Sequence, residues 1–209
     1  MRIIDSKFII ESKIKSDEIL KEIEIIGRTA YKSEKKISKN SAINFVKRLI
    51  RLKHFSVIEH YSITVRVICD RGISHEIVRH RIASYTQEST RYCNYSKGSF
   101  GREITVIKPS FWDLSDPKDK QKYIIWKETL EEIENSYLKL LSLGATPQEA
   151  RSVLPNSLKT EIVITMNLRE WRHFFQLRTT KKAHPQMNEI ALPLLNELKK
   201  RIPIIFDDI

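Results

Sequence analysis

Between Tyr61 and Cys69 the chain alternates with a period of two. Ile63, Val65, Val67 and Cys69 fall on one side, and Ser62, Thr64 and Arg66 on the other. A backbone that sends successive side chains to opposite faces makes this a strand with one buried face. Thr160 to Met166 alternates in the same way, and Glu103 to Lys108 reads as a short strand ended by Pro109.

Around these strands the apolar residues switch to helical spacing. Ser16, read as a cap, opens a helix with Ile19, Leu20, Ile23 and Ile26 on one stripe and Gly27 as its end. A second helix is predicted from Ser41 to Leu52, and a third from Gly72 to Arg81. Ser84 to Gly101 is polar and lacks sustained periodicity, so it reads as a long ordered loop, and long loops in compact domains are often functional. The longest helix runs from Pro117 to Leu143 with Tyr123, Trp126, Leu130, Ile133, Tyr137 and Leu140 as its apolar stripe. Asp116 starts it and Gly144 stops it. Thr146-Pro147-Gln148-Glu149 is a capping box that opens a short helix carrying Arg151 and ending by Pro155. Asn167 and Glu170 cap the next helix, and a last one spans Gln186 to Arg201 with Pro193 as a kink. The mixture predicts one α+β domain over residues 1–209.

At 209 residues the chain is long enough for a real core. Hydrophobic residues at 41% and charged residues at 30% argue against disorder. No apolar run approaches the roughly 18 residues of a membrane span, and the first residues have no signal-peptide core. These features predict a cytoplasmic protein with no membrane partner. Two cysteines, Cys69 and Cys93, make no disulfide framework. Cys93 reads as a small packed thiol rather than a nucleophile, because no base is paired with it. The net charge of +11 draws anions, whether nucleic acid, membrane or phosphorylated small molecules. With 5 glycines there is no glycine-rich phosphate cradle, so a nucleotide-like ligand would be held by side chains, chiefly arginine.

Three constellations carry chemistry. Arg79-His80-Arg81 is followed by Ser84, Gln87, Glu88, Ser89 and Arg91. Glu76, Arg79 and His80 would share one face of the predicted helix. Several arginines beside hydroxyls and amides suit a phosphate ester; a salt-bridge network with Glu76 and Glu88 is the alternative. No zinc site is expected: in His75-Glu76-Ile77-Val78-Arg79-His80 the second histidine comes one residue late for the HExxH motif. Arg178 is placed by helical geometry within the stripe of Leu168, Trp171, Phe174 and Phe175, while Arg169, His173 and Gln176 occupy the other face. A cation on that stripe either meets an anion or several acceptors, or it caps the carbonyls at the helix end. His54, Glu59 and His60 precede the first long strand and read as structural.

Arg79-His80-Arg81, Ser84, Ser89 and Arg91 fill the six fixed positions of a motif, and with them the chain resembles the flavin-dependent thymidylate synthases. His54 to His60, Ala150-Arg151-Ser152-Val153-Leu154-Pro155, Asn167-Leu168-Arg169, His173, Leu177-Arg178 and Ala183-His184 extend the likeness in order along nearly the whole chain. The resemblance implies helices around a mainly antiparallel sheet, assembled as a homotetramer with active sites where subunits meet. It implies FAD as cofactor, with NADPH and 5,10-methylenetetrahydrofolate as co-substrates in the methylation of dUMP to dTMP. Carried over by position, Ser56, Arg79, His80, Arg81, Gln87, Asn167, Arg169 and His173 would meet FAD. Glu76, Arg79, Gln87, Glu88, Ser89, Thr90, Arg91, Arg151 and Arg178 would line the dUMP site, with Arg178 as the catalytic group facing the uracil ring. Ala30 stands where the family often has Ser or Cys, and Lys182 where some members have His.

A competing reading is a small basic RNA-binding protein using Arg79, Arg81 and Arg91 with Tyr85, Tyr92 and Tyr95. The basic residues form no continuous stripe and no nucleic-acid motif occurs, so no nucleic-acid partner is expected.

Overall fold

In the computed structural model, which describes residues 1–209, the alternating segments form strands. They are β1 (Arg2–Ile4), β2 (Lys7–Ile10), β3 (Ser62–Asp70), β4 (Ala83–Gln87), β5 (Thr105–Ile107) and β6 (Lys159–Asn167). Along β6, Thr160, Ile162, Ile164 and Met166 are buried and their neighbours are half-exposed. Along β3, Ile63, Val65, Val67 and Cys69 are buried. β1 and β5 pair in parallel, with Arg2 opposite Thr105 and Ile4 opposite Ile107. The remaining strands form a sheet in the order β2-β3-β6-β4. β3 and β6 run antiparallel. The Leu168 N–H donates to Tyr61 O at one end, and the Arg71 N–H donates to Leu158 O at the other.

The helices are α1 (Ser16–Thr29), α2 (Ser41–Arg51), α3 (Arg71–Ile77), α4 (Pro117–Ser142), α5 (Pro147–Ala150), α6 (Leu168–Arg178) and α7 (Pro185–Arg201). No helix is long and apolar enough to cross a membrane. The start of α4 is fixed by the Asp116 side chain, which accepts from Lys118 N and Asp119 N. Its end is followed by Gly144 at φ +93, a conformation glycine adopts without steric cost. The Thr146–Glu149 capping box is present in both directions. Pro193 lies inside α7.

Four sequence expectations are corrected. Ser16 is the first helical residue rather than a cap, and Lys15 before it makes no side-chain cap bond. Gly27 lies inside α1 and does not end it. A Cβ there would come 2.7 Å from the Phe45 ring, so close packing accounts for the glycine. The third helix stops at Ile77, so Arg79 and His80 lie beyond it and share no helix face with Glu76. Beyond the helix, the His80 ring is buried against Phe174 at 4.9 Å, a tertiary contact of the kind that overrides local helix propensity. The polar run after Ser84 begins as a strand, because residues 83–87 close the edge of the sheet. An edge strand needs only backbone pairing and one half-covered face, so it carries little hydrophobic signature. Strands β1 and β2 were likewise too short to show a period.

The Cα packing divides into two compact units. The first holds residues 1–7, 67–79 and 86–162. Its core is Tyr95, Ile104, Val106, Leu130, Tyr137, Ala150 and Leu158, with the stripe of α4 at its centre. The second holds residues 8–66, 80–85 and 163–209. Its core is aromatic: Trp171 stacks on Phe175, and Phe174 and Phe206 pack edge-on to Phe175. Trp171 Nε1 donates to Ile63 O at 3.0 Å, which satisfies the one polar atom of that ring.

Candidate active site

The second unit holds Ser56, His80, Arg81, Asn167, Arg169, His173 and Arg178. Helix α6 positions most of them. Asn167 caps it by accepting from Glu170 N at 2.8 Å. The cap sets the helix phase, so Leu168, Trp171, Phe174 and Phe175 turn inward and Arg169, His173 and Gln176 turn outward. Between α6, Phe55 and Ile82 lies a cavity of about 520 Å³, lined also by Glu59, Asn167, Arg169, Glu170, Arg172, His173 and Gln176. Seven of these lining side chains are polar or charged and two, Phe55 and Ile82, are apolar, a lining suited to a planar ring with charged substituents. Arg169 is paired with Glu59. Ser56 and Arg81 are exposed beside this region of the chain.

Arg178 is the last residue of α6 and is half-buried. Its Nε donates to His80 Nε2 at 3.1 Å. Guanidinium has no acceptor atoms, so His80 Nε2 must be the acceptor and the ring proton sits on Nδ1. Nδ1 lies 3.3 Å from Glu170 Oε1, completing a chain from Arg178 through His80 to Glu170. His80 is neutral: burial, aided by Arg178 and then His173, pulls its pKa down to about 4. The contact with Glu170 is therefore a hydrogen bond rather than an ion pair. Burial also pushes the Glu170 carboxyl above its ordinary value, against the pull of His173 and Arg169. Tyr85 fixes the backbone of the same residue, its hydroxyl donating to His80 O at 2.5 Å. His80, Glu170 and His173 lie close enough together to hold a cation. In this network, however, neither nitrogen of His80 has a free lone pair.

The first unit holds Glu76, Arg79, Gln87, Glu88, Ser89, Thr90, Arg91 and Arg151. Arg79, Arg91 and Arg151 are exposed, and Thr90 is buried. Arg91 Nε donates to Gln148 Oε1 at 2.8 Å, and its backbone N–H donates to Ser89 Oγ at 3.3 Å. Gln148 lies in α5, and Arg151 follows directly after that helix. Gln87 is a tether: its Nε2 donates to Ser74 Oγ and Thr160 Oγ1. Glu88 accepts from the Tyr95 hydroxyl and from Lys159 Nζ, both at 2.8 Å. Cys93 is half-buried, and burial pushes its thiol pKa up, which suits a packed thiol.

Two residues of the second unit stand out only in the structure. Glu170 reads in sequence as a cap partner, but its carboxyl is committed to His80. Its spacing four residues before Phe174 put it on the inward face, and that was the available signal. Arg172 is 3% exposed and lines the cavity. It donates to both oxygens of Asp208 and to Ile205 O, and lies 4.7 Å from the Phe55 ring centroid. Nothing local to α6 announces a partner 36 residues away.

Residues 14–204 match the family model described as thymidylate synthase complementing protein. The flavin-dependent thymidylate synthase of Pyrococcus furiosus is 36% identical over 176 residues, covering 84% of this chain and 70% of that protein. The enzyme of the same description from Geobacter sulfurreducens is 33% identical over 174 residues, covering 83% and 72%. Among solved structures, a UMP/dUMP methylase PolB from Streptomyces cacaoi bound with 5-Br dUMP superposes with a TM-score of 0.81 at 22% identity, over 99% of this chain and 96% of that one. At that identity the likeness establishes the fold.

Proposed function

The chain belongs to the flavin-dependent thymidylate synthase family, and on that premise we propose that it methylates dUMP to dTMP. The methylene carbon comes from 5,10-methylenetetrahydrofolate, the reducing equivalents from NADPH through FAD, and tetrahydrofolate is released. The observation that carries this reading is the polarised chain of Arg178, His80 and Glu170 beside the cavity lined by Asn167, Arg169 and His173.

The residues present fit a flavin dinucleotide. The cavity joins apolar walls, Phe55 and Ile82, to outward-facing Arg169 and His173, and buried Arg172 Nε on its wall has no partner within the protein. Ser56, Arg79, His80, Arg81, Gln87, Asn167, Arg169 and His173 are the residues that the family pattern assigns to hold the group, and Asn167, Arg169 and His173 line this cavity. When bound, the flavin supplies hydride transfer, which no side chain can provide.

For dUMP, the exposed guanidinium groups of Arg79, Arg91 and Arg151 offer permanent charge to a phosphate. Glu76, Gln87, Glu88 and Thr90 shape the same site. Ser89 positions rather than attacks: its hydroxyl accepts from Arg91 N–H and meets no base, so nothing activates it as a nucleophile. Arg178 is assigned to the uracil ring. A cation there stabilises negative charge developing on the pyrimidine, and His80, being neutral, accepts the Arg178 N–H without adding a charge of its own. The homotetramer with shared sites and a cytoplasmic location complete the proposal, and light scattering tests the assembly.

The test is anaerobic spectroscopy of the purified chain with FAD and NADPH, with and without dUMP, followed by product analysis after folate is added. Flavin bleaching accelerated by dUMP, and dTMP as product, are expected. A chain that binds no FAD ends the proposal. Arg178→Ala should lower dTMP formation by about 10²–10³-fold, the usual loss for removing one transition-state donor, while FAD still binds. Wild-type turnover in that variant would remove Arg178 from the mechanism.

A further inference from the structure

We propose that Glu170 is a positioning residue: by accepting the Nδ1 proton of His80, it keeps Nε2 of that ring as the acceptor that aims Arg178. The catalytic consequence rests on the role proposed above for Arg178, whereas the state of the His80 ring does not.

Glu170 is 7% exposed, and its carboxyl has one side-chain partner, His80 Nδ1. Burying a carboxyl group is costly, and a helix first turn rewards an acid equally well when it is exposed. Its burial against His80 therefore has a use that capping does not explain. The cap itself runs through the Asn167 side chain and the Glu170 backbone N–H, and it needs no carboxyl at position 170.

The hydrogen-bond inventory supplies the use. Arg178 Nε–H can only donate. A neutral imidazole carries its proton on one nitrogen, and the partner of that nitrogen decides which. Glu170 at Nδ1 selects the Nδ1–H form, which leaves Nε2 open to Arg178 at 3.1 Å. Without an acceptor at Nδ1, the Nε2–H form sets two donors against each other and pushes the guanidinium away. The ring has little freedom to escape by turning, since Phe174 and His173 pack against it at 4.9 and 5.7 Å and Tyr85 holds its carbonyl.

The experiment uses the full chain labelled with ¹⁵N histidine, as wild type, Glu170→Leu and Glu170→Gln. The protonation site of His80 is read by nitrogen–proton correlation near neutral pH, alongside kcat and KM for dUMP. Wild type should show the Nδ1–H form. Glu170→Leu should move the proton to Nε2 and lower kcat by about 10- to 100-fold, the usual effect of losing an orienting partner, with KM for dUMP little changed. Glu170→Gln retains an oxygen acceptor and should restore both the tautomer and most of the rate. An Nε2–H form in the wild type overturns the proposal, and that measurement decides even if Glu170→Leu does not fold. A lowered rate with an unmoved proton overturns it as well, because a structural defect then suffices. A wild type that makes no dTMP would refute the proposed activity instead, and the tautomer result would stand by itself.

Discussion

Replacing Asp208 by Asn removes the charge that holds Arg172 while keeping the side chain's shape. Asp208 accepts two N–H bonds from Arg172, at 2.6 and 2.8 Å, and the Arg172 guanidinium is buried against Phe55. Breaking a fully buried pair of this kind costs about 3–5 kcal/mol, because the surviving charge is left without a counterion. The Asp208 side chain is 52% exposed, however, so water takes over part of its role and the expected loss falls to about 2 kcal/mol. For a chain of this length each kcal/mol shifts Tm by about 2–4 °C, so a drop of about 4–8 °C is expected. The melt is run at one protein concentration, since assembly would make Tm concentration-dependent. The pH dependence adds a second check. Arg172 holds the Asp208 carboxyl below its ordinary value, so its stabilisation is complete above that ordinary value. It is lost as pH falls through the folded-state value. The gap between wild type and variant should therefore be constant near neutrality and close in acid. Because Arg172 lines the cavity assigned to FAD, the variant should also bind FAD more weakly. A Tm shift under about 1 °C at neutral pH, or a gap that persists once Asp208 is protonated, would refute the reasoning.

Gly27→Ala should destabilise by about 1–2 kcal/mol: the helix-propensity gain of roughly 1 kcal/mol is outweighed by a methyl group 2.7 Å from the Phe45 ring. Urea unfolding checks it, and a more stable variant would mean that the ring yields freely. Stability should also fall as pH drops from about 6.5 towards 4, by at most about 3 kcal/mol from His80, because the unfolded chain takes up a proton that the folded chain excludes. His80→Gln should flatten that slope, and an unchanged slope would place the titration elsewhere. Trp171→Phe leaves Ile63 O without its indole donor and should cost about 1–3 kcal/mol, read as a lower urea midpoint at unchanged slope.

What was legible in the sequence was whatever depends on near neighbours along the chain. The period of two placed β3 and β6, and the period near 3.6 placed the stripes of α4 and α6. Asp116, Thr146 and Asn167 marked helix starts because a cap bonds two or three residues ahead. The motif from Arg79 to Arg91 pointed to the family because its residues and spacings are themselves sequence. The same local rules misplaced the end of α3 and missed β4, where packing by distant residues overrides propensity.

Only the tertiary structure decided which charges meet. Position on the inward stripe left Arg178 an anion, several acceptors or the helix-end carbonyls as partners, and the fold supplied one acceptor that no local pattern names, the neutral ring of His80, 98 residues away in sequence. Glu170 read in sequence only as a cap partner, and Arg172 carried no signal there; His80 and Asp208 gave them their partners in the fold. A periodic pattern records which way a side chain turns from its own backbone, and it carries no record of what another segment will place there. That depends on long-range packing, and so do the protonation state of His80 and the aim of the arginine it holds.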